Sequence, residues 1–417
     1  MERLTKPSVV IVGGGFGGLW TAAALKRVGA RVIVIDRENH HVFQPLLYQV
    51  ATASLSPADI AQPIRGILTS GNAEVVLGEV TGIDKDAQEV ILGDRRIPFD
   101  YLVLATGARH SYFGNDHWEA LAPGLKTIDD ATRMRSKILL AFEQAETALN
   151  DDEKRKCLTF VVIGGGATGV ELAGAIAEIA RRTMRSDFDH IDSRNASVQL
   201  LEAGPRLLPA FPESLSQATR ESLQKLGVTV RTDTKVEDIG DGFVRTSSDV
   251  IETRTILWAA GVQATPVAKW LEVEPDRSGR VLVTPNCSIP GHPNIFVIGD
   301  AMSLKDKNGS ALPGVAQVAM QQGKFVARII SSNIKGVPSP ATFKYFDKGS
   351  MATIGKRLAV AKVGPIEIKG SLAWLSWVVI HIWYLIGFSK KLLVMIHWIW
   401  AYLFSQRGAR LITGRKV

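Results

Sequence analysis

Cysteine is almost absent from this 417-residue chain: Cys157 and Cys287 are the only two, 130 positions apart. That spacing excludes a disulfide framework, a cysteine zinc site and a C-x-x-C dithiol, and it points to a reducing compartment. Metal-ligand clusters are lacking as well. His40 and His41 are adjacent but have no cysteine or carboxylate set nearby, so no metal is expected. Apolar runs are short for a membrane span, since residues 372–388 form a stretch of seventeen without formal charge where a spanning helix needs about twenty. Positive charge is lacking outside the C-terminus. Residues 341–417 carry twelve cations and two acids while the rest of the chain is slightly acidic, so the net charge of +8 belongs to the tail. These cations flank tryptophan-rich apolar segments rather than a base-reading face, which argues against a nucleic-acid partner and for an anionic membrane surface. The basic-then-apolar start resembles a leader, but glycine spacing accounts for the same residues, so the protein is expected to stay on the side where it is made.

Glycine, by contrast, is plentiful and patterned. Residues 9–36 read VVIVGGGFGGLWTAAALKRVGARVIVID, a strand, a glycine turn, an Ala-rich helix and a second strand ending on Asp36. In that order Gly13 permits the tight turn, Gly15 lets backbone approach a pyrophosphate, and Gly18 packs helix on strand. The helix N-terminus offers unpaired N–H groups to the anion, and Asp36 takes ribose hydroxyls. The pattern recurs. Residues 160–174 read FVVIGGGATGVELAG, so Gly164, Gly166 and Gly169 match Gly13, Gly15 and Gly18 at an offset of 151, and Glu202 supplies the second acid. A repeat of that length is domain-scale duplication and implies two bound nucleotides. Length and composition, with 46% hydrophobic and 22% charged residues, fit about two or three globular domains.

Between these landmarks the chain alternates strand and helix signals. Residues 37–68 form a long connection broken by Pro45, Pro57 and Pro63, of the kind that covers a site. Strands are expected at 73–77, 88–92 and 101–104, the last running into the small-residue turn Ala105, Thr106, Gly107. A helix is expected over 129–150, and the charge-rich DDEKRK after it reads as a solvated connection. Glu171 lies two residues past Gly169, where a carboxylate sits near the nicotinamide side of a dinucleotide; an exposed helix-terminal acid is the alternative. Glu202 favours a free 2′-hydroxyl over a 2′-phosphate, with Arg206 four residues on as the counter-argument. Residues 255–261, TILWAAG, end a strand on small residues, and 294–300, NIFVIGD, deliver Gly299 and Asp300 to a strand tip suited to a flavin's ribityl chain or pyrophosphate. In the following helix Gln317 and Gln321 share one face, with Ala316 and Ala319 leaving room beside them, an arrangement suited to the carbonyls of a flat quinone or equally to solvated helix residues.

The order GGGFGG, FQPLLYQVA, LVLATGA, GGGATGVELAG, WAAGV, NIFVIGD, AQVAMQ, then GSLAWLSWVVIHIWYLIGFSKKLL and QRGARLITG, resembles the type II NADH:quinone oxidoreductases, the alternative NADH dehydrogenases of bacteria and organelles, over nearly the whole chain. The resemblance implies an α/β protein of two Rossmann-like dinucleotide-binding domains, the first discontinuous, plus a C-terminal membrane-associating helical segment. The expected parts are 1–125 and 285–340 for noncovalent FAD, 126–284 for NADH, and 341–417 for the membrane. On its motifs, FAD contacts are expected from Gly13, Gly14, Gly15, Phe16, Gly17, Gly18, Asp36, Arg37, Tyr48, Ala105, Thr106, Gly107, Gly299, Asp300, Ala316, Gln317 and Val318. NADH contacts are expected from Gly164, Gly166, Ala167, Thr168, Gly169, Glu171, Glu202, Ala260 and Gly261. The quinone is expected near Gln317 and Gln321, with Glu171 handling hydride or proton.

The implied protein is a homodimer, peripheral on the cytoplasmic face of a bacterial inner membrane, that reduces quinone without pumping protons. Its lipid contact runs through 372–404, read as two helices lying in one leaflet with Trp374, Trp377, Trp383, Trp398 and Trp400 at headgroup level. Two rivals remain. A sulfide:quinone oxidoreductase would need cysteines beside the flavin, and a non-catalytic membrane-bound nucleotide sensor would need only the binding sites.

Overall fold

The computed structural model describes residues 6–69, 73–306, 309–339, 342–404 and 408–413. Residues 1–5, the 340/341 boundary and the tail cations Arg407, Arg415 and Lys416 lie outside the described residues. The chain divides into two compact units, one of Met1–His41, Gln62–Arg109 and Val262–Asp347, the other of Val42–Ala61, His110–Gly261 and Lys348–Val417.

The first unit is built on a six-stranded sheet in the order Ser288–Ile289, His292–Val297, Tyr101–Leu104, Ser8–Val12, Arg31–Asp36, Ala73–Leu77. All neighbours run parallel except the first pair. Parallel strands covered on both faces need continuous apolar runs, and Val9, Val10, Ile11, Leu102, Val103 and Leu104 are all fully buried. Chain order reverses at Ser8–Val12, the central strand, so its C-terminal end opens a crevice between its two crossovers. An antiparallel meander of Gly82–Asp84, Glu89–Leu92 and Arg95–Pro98 is attached.

The second unit repeats the plan with four parallel strands in the order Val228–Arg231, Ser197–Leu201, Thr159–Ile163, Thr255–Trp258, the switch now falling at Thr159–Ile163. Phe160, Val161 and Val162 are fully buried there. Two antiparallel three-stranded sheets complete it, one of them Ser350–Gly355, Leu358–Val363, Ile366–Lys369. Helix Ala167–Glu178 packs on that sheet backbone to backbone, because a Cβ at Gly174 would overlap the Ile354 carbonyl oxygen.

The 37–68 connection holds the short helices Leu47–Ala51, Pro57–Ile60 and Ile64–Leu68. Two local readings change. The DDEKRK stretch is itself a helix, Asp151–Cys157, because Asn150 accepts the Glu153 N–H at 2.9 Å and its charges run acid first, base last, along the helix dipole. In the tail, the apolar run breaks. Helix Ser371–Tyr384 ends before Gly387, whose φ of +88° the next helix, Phe388–Phe404, cannot continue through. Among the described residues no helix is long and apolar enough to cross a membrane.

Candidate functional site

In the first unit four strand ends deliver the predicted residues to one edge of the sheet. Gly13 holds φ +106°, and a Cβ there would overlap the Ala105 carbonyl, while a Cβ at Gly18 would overlap the Gly13 oxygen. At Gly15 nothing stands within 4 Å of such a Cβ. The turn is therefore tight against Ala105 and Gly18 and open in front of helix Phe16–Ala24, as a pyrophosphate cradle must be. The Asp36 carboxylate accepts the Gly14 N–H and, at 2.8 Å, that of Glu38. A carboxylate has about four acceptor positions, so two remain for ribose hydroxyls. Thr106 is tied to Thr265, hydroxyl to hydroxyl at 2.5 Å. Phe16 is buried, with its ring centroid 5.0 Å from that of His41 at a right angle. His41 sits beside Gly14, whose carbonyl its Nδ1 reaches at 3.1 Å, and burial lowers its pKa to about 4, so it is a neutral packing residue. Among the described residues no group of three or more His, Cys, Asp or Glu is arranged to hold a metal.

At the same edge Gly299 takes φ +70° and Asp300 follows it, with Gly314 close enough that a Cβ there would meet the Asp300 carboxyl at 3.3 Å. Helix Ala316–Lys335 begins with Ala316, Gln317 and Val318. A glutamine not singled out from the sequence holds this corner. Gln322 is fully buried, accepts the Gly299 N–H at 2.8 Å and donates to Met302 Sδ at 3.4 Å. Gln321 pairs both amide atoms with the Phe346 backbone, at 2.9 and 3.0 Å. A shared helix face therefore does not by itself turn Gln321 toward a ligand, and that pair must open for its amide to meet a ring carbonyl.

The second unit repeats the turn. Gly164 holds φ +109° with the Ala259–Ala260 peptide 2.7 Å from a Cβ there, Gly166 is open, and a Cβ at Gly169 would overlap the Gly164 oxygen. Ala167 and Thr168 open the helix that follows. Glu202 accepts the N–H groups of Gly165 at 2.6 Å and Gly204 at 2.7 Å. Arg206 is turned to the loop, donating to the carbonyls of Pro209 and Phe211 at 2.9 and 2.7 Å. Ala260 and Gly261 close the strand Thr255–Trp258, Gly261 at φ +71°.

Glu171 lies on the cavity face of helix Ala167–Glu178, and its carboxyl accepts the Thr353 N–H at 3.4 Å. Burial raises its pKa from the usual 4.5 to about 8, the Thr353 contact opposing only part of that, so it holds a proton near neutrality. Tyr48, buried beside it, bonds Thr353 Oγ1 at 2.8 Å and accepts from Gln49 Nε2 at 3.0 Å. Gln49 Oε1 in turn accepts the Trp398 indole N–H at 2.7 Å. These groups line a cavity of about 140 Å³ with Glu178, Arg182, Lys356, Trp374 and Trp377. The tail tryptophans thus divide. Trp383 and Trp400 are 74% and 53% exposed, but Trp377 is 2% exposed and Trp374 and Trp398 are half-buried against this cavity. An indole that finds a buried N–H acceptor is better placed inside than at headgroup level.

Both cysteines are buried, and burial pushes the Cys287 thiol up to about 12, the opposite of what a sulfur-carrying thiolate needs. Two parallel sheets, each with a glycine turn, an acid at the next strand tip and an open helix N-terminus, define a class of α/β protein built to hold nucleotides.

The comparisons narrow that class. The family model for pyridine nucleotide-disulphide oxidoreductases matches residues 7–323. The type II NADH:quinone oxidoreductase Ndh of Mycobacterium tuberculosis is 46% identical over 98% of this chain and 90% of its own, and NdhA of the same organism is 43% identical with the same coverage. The structure of NDH2 from Plasmodium falciparum in complex with NADH superposes with a TM-score of 0.87 at 23% identity, over 98% of this chain and all of that one, a likeness of fold. The chain belongs to the pyridine nucleotide-disulphide oxidoreductase family and, within it, to the type II NADH:quinone oxidoreductases.

Proposed function

We propose that the protein is a single-subunit, FAD-dependent NADH:quinone oxidoreductase that pumps no protons and works on a membrane surface. What carries this reading is the duplicated turn, in which Gly14 N–H meets Asp36 and Gly165 N–H meets Glu202 in the same way at the two switch points. When bound, FAD takes the hydride of NADH and passes two electrons to a quinone. The first turn, Gly13 to Gly18, is assigned to FAD, together with Asp36, Arg37, Tyr48, Ala105 to Gly107, Gly299, Asp300 and the helix start Ala316 to Val318. The second turn, Gly164 to Gly169, is assigned to NADH with Glu171, Glu202, Ala260 and Gly261. The Rossmann-like domains are assigned 1–125 with 285–340, and 126–284; the compact units differ from these bounds, with 42–61 and 110–125 in the second unit and 262–284 in the first.

The residues divide the work. Glu202 accepts a ribose 2′-hydroxyl and repels a 2′-phosphate, and the turned-away Arg206 supports NADH over NADPH. Glu171 holds a proton at its carboxyl and releases it when the quinone takes up two electrons. Gln317 and Gln321 are assigned to the quinone carbonyls. The 341–417 region is assigned to the lipid face, through Leu372, Leu375, Val379, Trp383, Phe388, Ile399, Trp400 and Leu403, all more than half exposed. A bacterial inner membrane, its cytoplasmic face and a homodimer complete the reading.

The test is anaerobic. NADH, and NADPH much less, should bleach the bound flavin, and ubiquinone or menaquinone analogues should restore its colour. A colourless preparation, or a chromophore indifferent to NADH, overturns the proposal.

A further inference from the structure

Quinone reduction by NADH has a proton deficit that the chain must meet. NADH gives up two electrons and one hydrogen, whereas the quinone takes two of each to become quinol, so each turnover draws one proton from solution. On the reading above, Glu171 delivers that proton, and this inference rests on it. The Glu171 O–H bond breaks as a quinol O–H bond forms, and the carboxylate left behind must be refilled through protein.

Two routes lead away from Glu171. The first is the hydrogen-bond chain through Thr353, Tyr48, Gln49 and Trp398. It ends on a peptide N–H at one side and an amide and an indole N–H at the other, none of which passes a proton on. Tyr48 between them is held protonated by burial and by the nearby Glu171. This chain orients the site and does not conduct.

The second route is the cavity. Glu178 lies seven residues beyond Glu171 on the same helix, two turns on, so both carboxyls face one space. The rise between them is about 10 Å along the axis. The two side chains span part of that, and a cavity of about 140 Å³ has room for waters to span the rest. Glu178 is fixed at its end by the Lys356 N–H, at 2.6 Å to Oε1, and by Gly355, where a Cβ would meet that same oxygen at 2.9 Å. Arg182 and Lys356 line this end, with Arg357 next to Lys356. From the 47–51 helix the titratable group is Tyr48; the tail helices contribute Trp374, Trp377 and Trp398. His381 stacks on Trp377 at 4.1 Å and is kept neutral by burial. The cavity thus runs from the end lined by Arg182 and Lys356, where Glu178 lies, to Glu171.

We propose that Glu178 is the proton-entry residue: it takes protons from solution and passes them through cavity water to the Glu171 carboxylate, and is then reprotonated by solvent. Its role is relay, distinct from the delivery assigned to Glu171.

The experiment uses the full-length, flavin-loaded protein and reads hydrogen–deuterium exchange of the Glu171 carboxyl by infrared difference spectroscopy, the band being assigned by its loss in Glu171→Gln. Glu178→Gln keeps the oxygen that accepts the Lys356 N–H, so its fold should be retained. Exchange at Glu171 should slow by about 100-fold or more, as should quinol formation above neutral pH, with recovery on adding a small weak acid such as formate and in Glu178→Asp. Gly355→Ala, which pushes the Glu178 carboxyl aside, should reproduce the defect. Unchanged exchange in Glu178→Gln and Gly355→Ala overturns the relay. A Glu171→Gln variant that forms quinol at the normal rate overturns instead the delivery role on which it rests.

Discussion

Replacing Glu171 by glutamine should stabilise the protein, and only above acid pH. Burial lifts this carboxyl from 4.5 to about 8. The folded state therefore binds a proton that the unfolded chain has already released, and stability is lost as pH rises from 4.5 toward 8. At 1.36 kcal/mol per tenfold the full effect is about 5 kcal/mol. Glu171 is only partly buried and keeps its contact with Thr353 N, so about 2–3 kcal/mol is the expected gain for Glu171→Gln at pH 8. Gln retains an acceptor for that N–H and never ionises. The assay is thermal unfolding of both proteins from pH 4 to 9 at fixed salt. The curves should coincide below pH 4.5 and separate by roughly 5–10 °C at pH 8, taking about 2–4 °C per kcal/mol for a domain of this size. Melting temperatures that differ by a constant amount at every pH would show that the carboxyl titrates normally and that the proton held at neutrality does not exist.

Other perturbations test other parts of the site. Gly18→Ala places a methyl on the Gly13 carbonyl and should yield protein without flavin, whereas Gly169→Ala should keep the colour and lose its bleaching by NADH; absorbance spectra before and after NADH separate the two. Glu202→Ala removes the acceptor of two turn N–H groups and should narrow the NADH over NADPH preference in kcat/KM by about tenfold or more; an unaltered ratio refutes the assignment. Tyr48→Phe strands Gln49 Nε2 and Thr353 Oγ1 and should cost about 1–3 kcal/mol in denaturant unfolding. Reversing Lys390 and Lys391 to glutamate should weaken sedimentation with anionic vesicles by about 1 kcal/mol per charge or more, and leave binding to neutral vesicles less affected.

The two glycine turns were legible because their chemistry is local. A turn with φ near +106° and a helix packed without a side chain between demand glycine at fixed spacing, and the next strand's end fixes the acid. The strand Tyr101–Leu104 was legible for a similar reason, since a buried parallel strand must be apolar throughout, whereas Ala73–Leu77 at the sheet edge and Glu89–Leu92 in the antiparallel meander showed only as short apolar runs between turn signals. The tail was half legible. Apolar run length and flanking charge show two tryptophan-rich segments but not where the chain turns, and an apolar tryptophan looks the same whether it meets lipid or, like Trp377, its own protein.

What the sequence hid was contact between distant segments. Glu178 reads as one more solvated helix acid until the hairpin residues Gly355 and Lys356, nearly 180 positions away, close over it. Its signal lies in spacing that only a partner makes meaningful. Residues 171, 174, 175 and 178 share one face of a helix. Gly174 on that face lets the Ile354 backbone come so close that both carboxyls line one cavity. The same close packing that raises the Glu171 pKa thus also limits its contact with solvent, and Glu178, lining the same cavity, is placed to return its proton. A bulkier residue at 174 should open this contact, lower the Glu171 pKa toward its ordinary value and remove the pH dependence of stability described above; a Gly174→Ala protein whose stability still falls between pH 4.5 and 8 would separate burial of Glu171 from the helix–sheet contact.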